Sequence, residues 1–183
     1  MQAGAATFTP DELTETAPGV YYTRHALVPA NAGIIAFLKE AAARAPLRRA
    51  RLCAHPSPES PQHDMLIVTR AESYVAPHRH PRKSEAFLVL EGQCEALLFD
   101  EDGTVTDVVP MADMASGRPF FYRMPEMSYH ALDVQSDCLV FFESAKGPFD
   151  PSQTESAPWA PAPDQTEAGK RFIAAARRGF KGG

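Results

Sequence analysis

The sequence predicts an all-β fold, because strand-length apolar runs separated by turn residues recur along the chain from Gln62 onward. Three of these runs are HDMLIVTR, SEAFLVLEG and CLVFFES, and each has the length and composition of a β-strand. The segment FDEDGTV is the clearest hairpin, with Asp102 and Gly103 at its turn. Short strands at such spacing are typical of a β-sandwich or a β-barrel.

Both ends of the chain are predicted to add short helices to the strands. Residues 1–19 are polar and small, so we expect them to be loose, and we expect a short strand within Gly19–Val28. Asn31 is a suitable N-cap for a helix over Ala32–Ala45. A second amphipathic helix is expected over about residues 165–178.

The predicted organisation is a single domain in three parts, since 183 residues suffice for one hydrophobic core and little more. The segment 147–164 is rich in proline, which excludes a helix or a central strand, and we expect it to lie on the surface as an extended strap. The parts are an N-terminal extension with a short strand and helix (1–45), a β-barrel (46–146), and the strap with the C-terminal helix (147–183).

Composition excludes several classes of partner. The net charge of -5 gives no support for nucleic-acid binding, and no apolar run is long enough for a membrane-spanning helix. The N-terminus lacks a basic segment followed by an apolar one, so we expect a cytoplasmic protein without a secretory signal. Cys53, Cys94 and Cys138 form no C-x-x-C pair, and we expect reduced, buried thiols.

The segment PHRHPRKSE contains the strongest chemical signal. Residues i and i+2 of a strand share a face, so His78 and His80 project together, and a turn would bring Glu85 beside them. His130 stands where a neighbouring strand would begin. Three imidazoles and a carboxylate suit iron, manganese, nickel, cobalt or zinc, and would leave coordination positions open for a substrate. The alternative is that these histidines are surface or hydrogen-bonded side chains.

These residues resemble the two motifs of the cupin superfamily. HRHPRKSEAFLVLEG is similar to the first motif, H-x-H-x4-E-x6-G, with His78, His80, Glu85 and Gly92 in register. Gly117, Pro125 and His130 are similar to the second motif, whereas Met127 and Val134 replace its usual glycine and asparagine. The resemblance implies a cupin jelly-roll β-barrel that holds one divalent metal ion per chain through His78, His80, Glu85 and His130.

A longer stretch, from about Pro46 to Pro161, resembles the WbuC family of cupin-fold metalloproteins. The segment KGPFDPSQTESAPWAP is the most distinctive part of this likeness. The family is often encoded beside bacterial O-antigen or polysaccharide genes, and its reaction is unsettled. The resemblance therefore implies a metalloprotein in a polysaccharide context without naming a reaction.

The predicted function is that of a metal-dependent enzyme acting on a small polar or anionic molecule, such as a sugar or nucleotide sugar. Isomerase- or epimerase-like chemistry ranks slightly above an iron-dependent dioxygenase. A non-catalytic module that binds or senses a small ligand is the alternative, because Glu126, Tyr129 and Glu143 are only weak candidates for an acid or base. A structural metal is a weaker third hypothesis. We also expect a homodimer, in which the strand near Tyr21 lies against a partner chain.

Two groups of residues are candidates for binding the substrate. Arg82 and Lys83 lie in the turn of the first motif and could bind an anion, or they could belong to a solvated basic loop. Arg79 is expected to face away from the metal, since it alternates with the two histidines.

Aromatic residues form the second group, since their faces stack on sugar rings. Tyr74, Tyr129 and Trp159 could line a pocket, and the alternative for each is a place in the core. His55 and His63 flank a second proline-rich segment, the loop PSPESP (56–61), where a surface position is expected and a place at the mouth of the barrel is the alternative.

Overall fold

The computed structural model describes residues 8–181 and consists mainly of β-strands, so the all-β prediction is confirmed. The larger sheet has seven strands, in the spatial order β1 (Leu13–Ala17), β2 (Val20–Thr23), β3 (Arg49–Cys53), β4 (Gln62–Arg70), β11 (Cys138–Lys146), β6 (Glu85–Glu91) and β9 (Phe121–Met124). The smaller sheet has five, in the order β12 (Glu155–Ser156), β5 (His78–Arg79), β10 (Tyr129–Val134), β7 (Gln93–Phe99) and β8 (Val105–Ala112).

The eight strands from β4 to β11 follow a jelly-roll path. They form two four-stranded groups, β4-β11-β6-β9 and β5-β10-β7-β8, and their neighbours are antiparallel. Within residues 8–181 no strand ladder joins the two sheets. The fold is therefore a sandwich, and the predicted closure into a continuous barrel does not form.

The N-terminal part extends the larger sheet. β1 and β2 form a hairpin, and β2 pairs in parallel with β3. The strand β1 lies in a region predicted to be loose, because its exposed side chains carry little hydrophobic signal. Residues 1–7 of that region lie outside the described part of the chain.

A helix covers the outer face of the larger sheet. The helix α1 (Ala32–Arg44) begins as predicted at Asn31, whose side chain accepts hydrogen bonds from the backbone amides of Gly33 and Ile34. Its buried residues Ile34 and Leu38 pack with the residues of β3 and β4 that face the helix. This packing occupies one face of β3 and leaves the other face to the interior of the sandwich.

The C-terminal part covers the outer face of the smaller sheet. The strap contributes the short edge strand β12, which pairs with β5, and then leads into the helix α2 (Thr166–Gly179). Tyr74, Tyr129 and Ile173 are buried together in this layer, with Trp159 packed against them. The smaller sheet therefore has a hydrophobic core on its outer face as well as an inner face that points at the larger sheet.

Candidate metal centre and cavity

Three histidines converge on the inner face of the smaller sheet. His78 on β5 is directly opposite His130 on β10, and His80 follows His78 with the predicted period of two. One ring nitrogen from each of the three lies within 4.8 Å of the others. We call these three residues the histidine cluster. Its nitrogens are close enough together to be bound by a single metal ion.

Each ring of the histidine cluster is anchored through its outward nitrogen. The Nδ1 atoms contact backbone carbonyl oxygens: His78 that of Ala76 at 2.8 Å, His80 that of Gln153 at 3.0 Å, and His130 that of Ser128 at 2.9 Å. A carbonyl accepts only from N–H, so Nδ1 carries the proton in all three rings. This tautomer leaves the Nε2 atoms with free lone pairs, which is how protein metal sites commonly orient histidine ligands.

Glu85 completes the site from the opposite sheet. Its Oε1 lies 3.0 Å from His130 Nε2, and its Oε2 lies 3.1 Å from His80 Nε2. Burial opposes ionisation of the carboxyl, but contacts with His130 and His80 outweigh it and hold the pKa of Glu85 well below its usual range. Burial disfavours the charged form of His130, but the hydrogen bond and the charge of Glu85 outweigh it and raise the pKa of His130. The carboxylate therefore favours a positive charge beside it, which either a ring proton or a bound divalent ion supplies.

His78 is suited to ligate as a neutral imidazole. Burial, followed by the neighbouring His130, lowers the pKa of His78 to about 3. A metal ion would therefore meet little competition from protons at this ring near neutral pH.

The turn before His130 is shaped by the residue that departs from the cupin motif. Met127 adopts a left-handed backbone conformation with φ of 65°, which a glycine would adopt more easily. Its backbone amide donates a 3.0 Å hydrogen bond to the carbonyl of His80. The turn thus forms with methionine, and it links the start of β10 to the segment that carries His78 and His80.

The histidine cluster opens into a cavity of about 520 Å³ between the two sheets. Glu85, Phe87 and Tyr122 line it on one side, and hydrophobic residues of β4 line it on another. This volume lies within the usual range for small-molecule sites, which are mostly apolar with a few placed polar groups.

Glu143 is a second carboxylate in the cavity wall. It lies on β11 opposite Phe87 of β6, one strand away from Glu85. Burial, followed by the negative charge of Glu85, raises the pKa of Glu143 to about 7. A carboxyl group with such a pKa can both accept and give up a proton near neutral pH.

Two arginines of the cavity wall were not predicted from the sequence. Successive side chains of β3 take opposite faces of the sheet. Ala50 and Leu52 pack under α1, whereas Arg49 and Arg51 face the cavity. The period of two in the segment RARLC would have predicted this arrangement, had one face of β3 been assigned to a helix.

His55 and His63 are also cavity residues, which corrects their predicted surface position. Both are buried, and their rings stack with centroids 4.0 Å apart. His63 reaches this position because β4 begins at Gln62 and turns its second residue inward.

Of the basic residues predicted to bind substrate, only Lys83 lines the cavity. Arg82 is exposed in the turn. Arg79 faces outward as expected, where it contacts Glu101 and Glu155 and lies 4.5 Å from the centre of the Tyr129 ring.

The predicted aromatic pocket residues lie elsewhere. Tyr129 precedes His130 on β10, so its side chain takes the opposite face and packs edge-on against Trp159. Tyr74 is buried in the same outer layer, and its hydroxyl donates to the carbonyl of Pro161. All three stabilise the strap and do not line the cavity.

Comparisons with known proteins give a partial family match and distant structural likenesses. A family model described as a domain of unknown function, DUF6016, matches residues 31–111, a stretch that includes His78, His80 and Glu85 but not His130. No curated protein matches the sequence. Neither helix of the described residues is long and apolar enough to cross a membrane.

Among solved structures, a candidate sugar phosphate isomerase from Acidithiobacillus ferrooxidans shares 19% identity at a TM-score of 0.39, with 48% of this chain and 51% of that chain covered. A mutant of Bacillus subtilis oxalate decarboxylase shares 13% identity at a TM-score of 0.46, with 59% and 27% covered. Oxalate decarboxylase from Lactobacillus farciminis shares 15% identity at a TM-score of 0.42, with 53% and 27% covered. The chain thus spans about half the length of the first of these proteins and about a quarter of the other two.

Proposed function

We propose that the chain is a metal-dependent enzyme of the cupin superfamily, related to the WbuC family, that acts on a small polar or anionic molecule. One divalent ion would be held by the histidine cluster and Glu85. The observation that carries the proposal is the convergence of one ring nitrogen from each of three histidines at the wall of a cavity, with the Glu85 carboxylate in contact with His80 and His130. A sugar phosphate or nucleotide sugar is the first substrate class to test, by the resemblance of the sequence.

The residues around the ion have separable roles. A bound divalent metal supplies a Lewis acid that polarises a carbonyl or hydroxyl oxygen of the substrate. Glu143 exchanges a proton with the substrate, because it lies in the cavity wall and its pKa is raised to about 7, mainly by burial. Lys83 lies at the same cavity and adds positive charge for an anionic ligand.

Elemental analysis of purified protein tests the metal part of the proposal. The wild-type chain should carry about one transition-metal ion, and His78→Ala should carry much less, because one of three imidazole ligands is lost. His25→Ala is the matched control, since His25 is half-exposed and pairs with Glu12 far from the cluster. Equal metal content in His78→Ala and the wild type would show that the ion, if any, binds elsewhere.

Glu143→Gln tests the catalytic part. Metal-loaded wild-type protein is incubated with sugar phosphates and nucleotide sugars, and products are identified by mass spectrometry. The variant should keep its metal and lose turnover by about 10²–10⁴-fold, the usual contribution of an acid–base group. If the wild type binds these compounds and forms no product, the enzyme hypothesis gives way to that of a ligand-binding module. Consumption of dioxygen would favour the dioxygenase hypothesis.

We also propose a homodimer. The strand near Tyr21, β2, is paired with β1 on one side and β3 on the other, so it cannot form the predicted contact, and the edge strands β1 and β9 of the larger sheet are the candidates instead. Light scattering during size-exclusion chromatography measures the mass directly. A mass near 40 kDa, about twice that of the chain, supports a dimer, and a mass near 20 kDa excludes it.

A further inference from the structure

Arg49 and Arg51 form an arginine pair on the wall of the cavity. They alternate on β3 with residues packed under α1, so both guanidinium groups are directed between the sheets. Among residues 8–181, neither side chain makes an ion pair or a side-chain hydrogen bond. Two neighbouring, half-buried cations thus line the cavity without an ion-pair partner among the described residues.

Such an arrangement is costly for the protein alone. Buried charges in folded proteins are normally paired, because a charged group loses its hydration on burial. Arg51 Nε is the one buried side-chain nitrogen or oxygen of the described residues that lacks a hydrogen-bond partner. Burial, followed by the neighbouring Arg51, lowers the pKa of Arg49. The terminal nitrogens of both guanidinium groups are accessible and make no hydrogen bond to the described residues, so a partner from outside the chain can bind them.

The charge of the whole cavity points in the same direction. The charged groups that line it are the arginine pair, Lys83 and two carboxylates, Glu85 and Glu143. Cations already outnumber carboxylates, and a divalent ion at the histidine cluster would increase the excess. An anionic ligand would neutralise this excess in a cavity, where charges are screened from one another less than in bulk water.

The arginine pair lies at some distance from the histidine cluster. Strand order places β3 three strands from β6, which carries Glu85, a separation of about 14 Å across the sheet. In strand order, β11 lies between β3 and β6. Glu143 on β11 therefore lies between the arginine pair on β3 and Glu85 on β6.

We propose that the arginine pair binds a carboxylate or phosphate group of the ligand whose other end reaches the metal, an inference that rests on the proposed function for the metal end. The two terminal nitrogens of a guanidinium group can donate side by side, which is a geometry that matches two oxygens of an oxyanion. In this arrangement Glu143 faces the middle of the ligand. The specificity of the site is then for elongated molecules with one anionic end and one oxygen-bearing end.

Titration calorimetry with inorganic phosphate and with acetate tests the anion site, with phosphate and carboxylate in separate arms. Arg51→Met removes the charge at similar length, and we expect it to weaken the better of the two probes at least tenfold. Arg82→Met is the matched control, because Arg82 is the exposed arginine of the metal motif, and its affinity should stay within twofold of the wild type. Loss of binding in Arg82→Met with retention in Arg51→Met would overturn the inference.

His78→Ala separates binding at the arginine pair from binding at the metal. If the probe occupies the arginine pair, its affinity in His78→Ala should change less than about threefold. A probe lost in His78→Ala and retained in Arg51→Met binds the metal and overturns the inference. Metal content is measured on every sample. If the wild type holds no metal but binds the probe, and Arg51→Met does not bind it, only the proposed function is refuted. Normal metal content with no effect of Arg51→Met would refute only the anion site.

Thermal unfolding gives a second readout that does not depend on the probe. Without ligand, Arg51→Met removes an unpartnered buried donor, so its Tm should lie roughly 2–4 °C above that of the wild type. Phosphate or acetate, whichever binds, should then raise the Tm of the wild type and not that of the variant. A variant with lower Tm than the ligand-free wild type would show that Arg51 has a structural partner, and would count against the inference.

Discussion

At the scale of single residues, the histidine cluster has the features of a prepared metal site. Each ring is held by a carbonyl on its Nδ1 side and presents Nε2 to a shared centre. The carboxylate of Glu85 approaches two of these nitrogens at 3.0 and 3.1 Å. These contacts lower the pKa of Glu85 and raise that of His130, so the carboxylate favours a positive charge at these nitrogens, which a ring proton or a bound cation supplies.

Glu85→Gln tests the part played by this negative charge. The amide keeps the shape of the side chain but loses the charge, so we expect metal affinity to fall at least about tenfold. Competition with a chelating dye measures the change. Glu126→Gln, in an exposed position before β10, is the matched control and should bind metal as the wild type does. An unchanged affinity in Glu85→Gln would remove this residue from the site.

Residue spacing predicts which face of the sheet some of these side chains take, but it does not identify every residue that lines the cavity. The period of two in a strand placed His78 and His80 together and turned Arg79 outward. The same rule separates Tyr129 from His130, and places Tyr129 with Trp159 outside the cavity. Arg51 was missed for a different reason, because its environment depends on a helix and a sheet that are distant in sequence.

At the scale of elements, the strap and α2 hold the strands of the histidine cluster from outside. β5 has only two residues, and it is fixed because β10 and β12 pair with it on either side. The strap also supplies the Gln153 carbonyl that orients His80. The proline-rich composition predicted a surface strap, but its use as an edge strand depends on β5, whose pairing is not visible in sequence.

The contact between α2 and Tyr74 gives a prediction that runs against helix propensity. A Cβ at Gly169 would lie 2.2 Å from the Tyr74 ring, whereas a Cβ at Gly179 of the same helix would meet nothing within 4 Å. Alanine favours a helix by about 1 kcal/mol over glycine, but overpacking at a buried contact costs about 1–3 kcal/mol. We therefore expect Gly169→Ala to lower the Tm by a few degrees.

Gly179→Ala is the control for this experiment, because it makes the same substitution in open space near the end of α2. Differential scanning calorimetry of both variants should show a loss of Tm in Gly169→Ala alone. A higher Tm in Gly169→Ala than in Gly179→Ala would mean that the helix does not pack on Tyr74 as described.

At the scale of the whole molecule, the fold is stabilised by hydrophobic packing that does not depend on the metal. Separate buried clusters of hydrophobic side chains lie under α1, under α2 and between the sheets. Alternating apolar runs predicted an all-β chain, and the sheets satisfy that pattern. Closure into a barrel was predicted wrongly, because strand sequences do not specify whether edges of facing sheets meet.

Removal of the metal should therefore leave the protein folded. Chelation is expected to preserve the far-ultraviolet circular dichroism spectrum and to lower the Tm by several degrees, because binding at one hundred times Kd contributes about 2.7 kcal/mol. Adding back Mn²⁺ or Zn²⁺ should restore the Tm. Loss of the β-sheet spectrum on chelation would instead assign the ion a structural role.

The most direct test of the central claim is an anomalous diffraction measurement on crystals of the metal-loaded protein. Data collected on both sides of the absorption edge of the bound metal should give one strong difference peak. We predict that this peak lies at about 2.0–2.3 Å from the Nε2 atoms of His78, His80 and His130 and from a carboxylate oxygen of Glu85. A peak at any other group of residues, or none at the histidine cluster of a loaded crystal, would contradict the account.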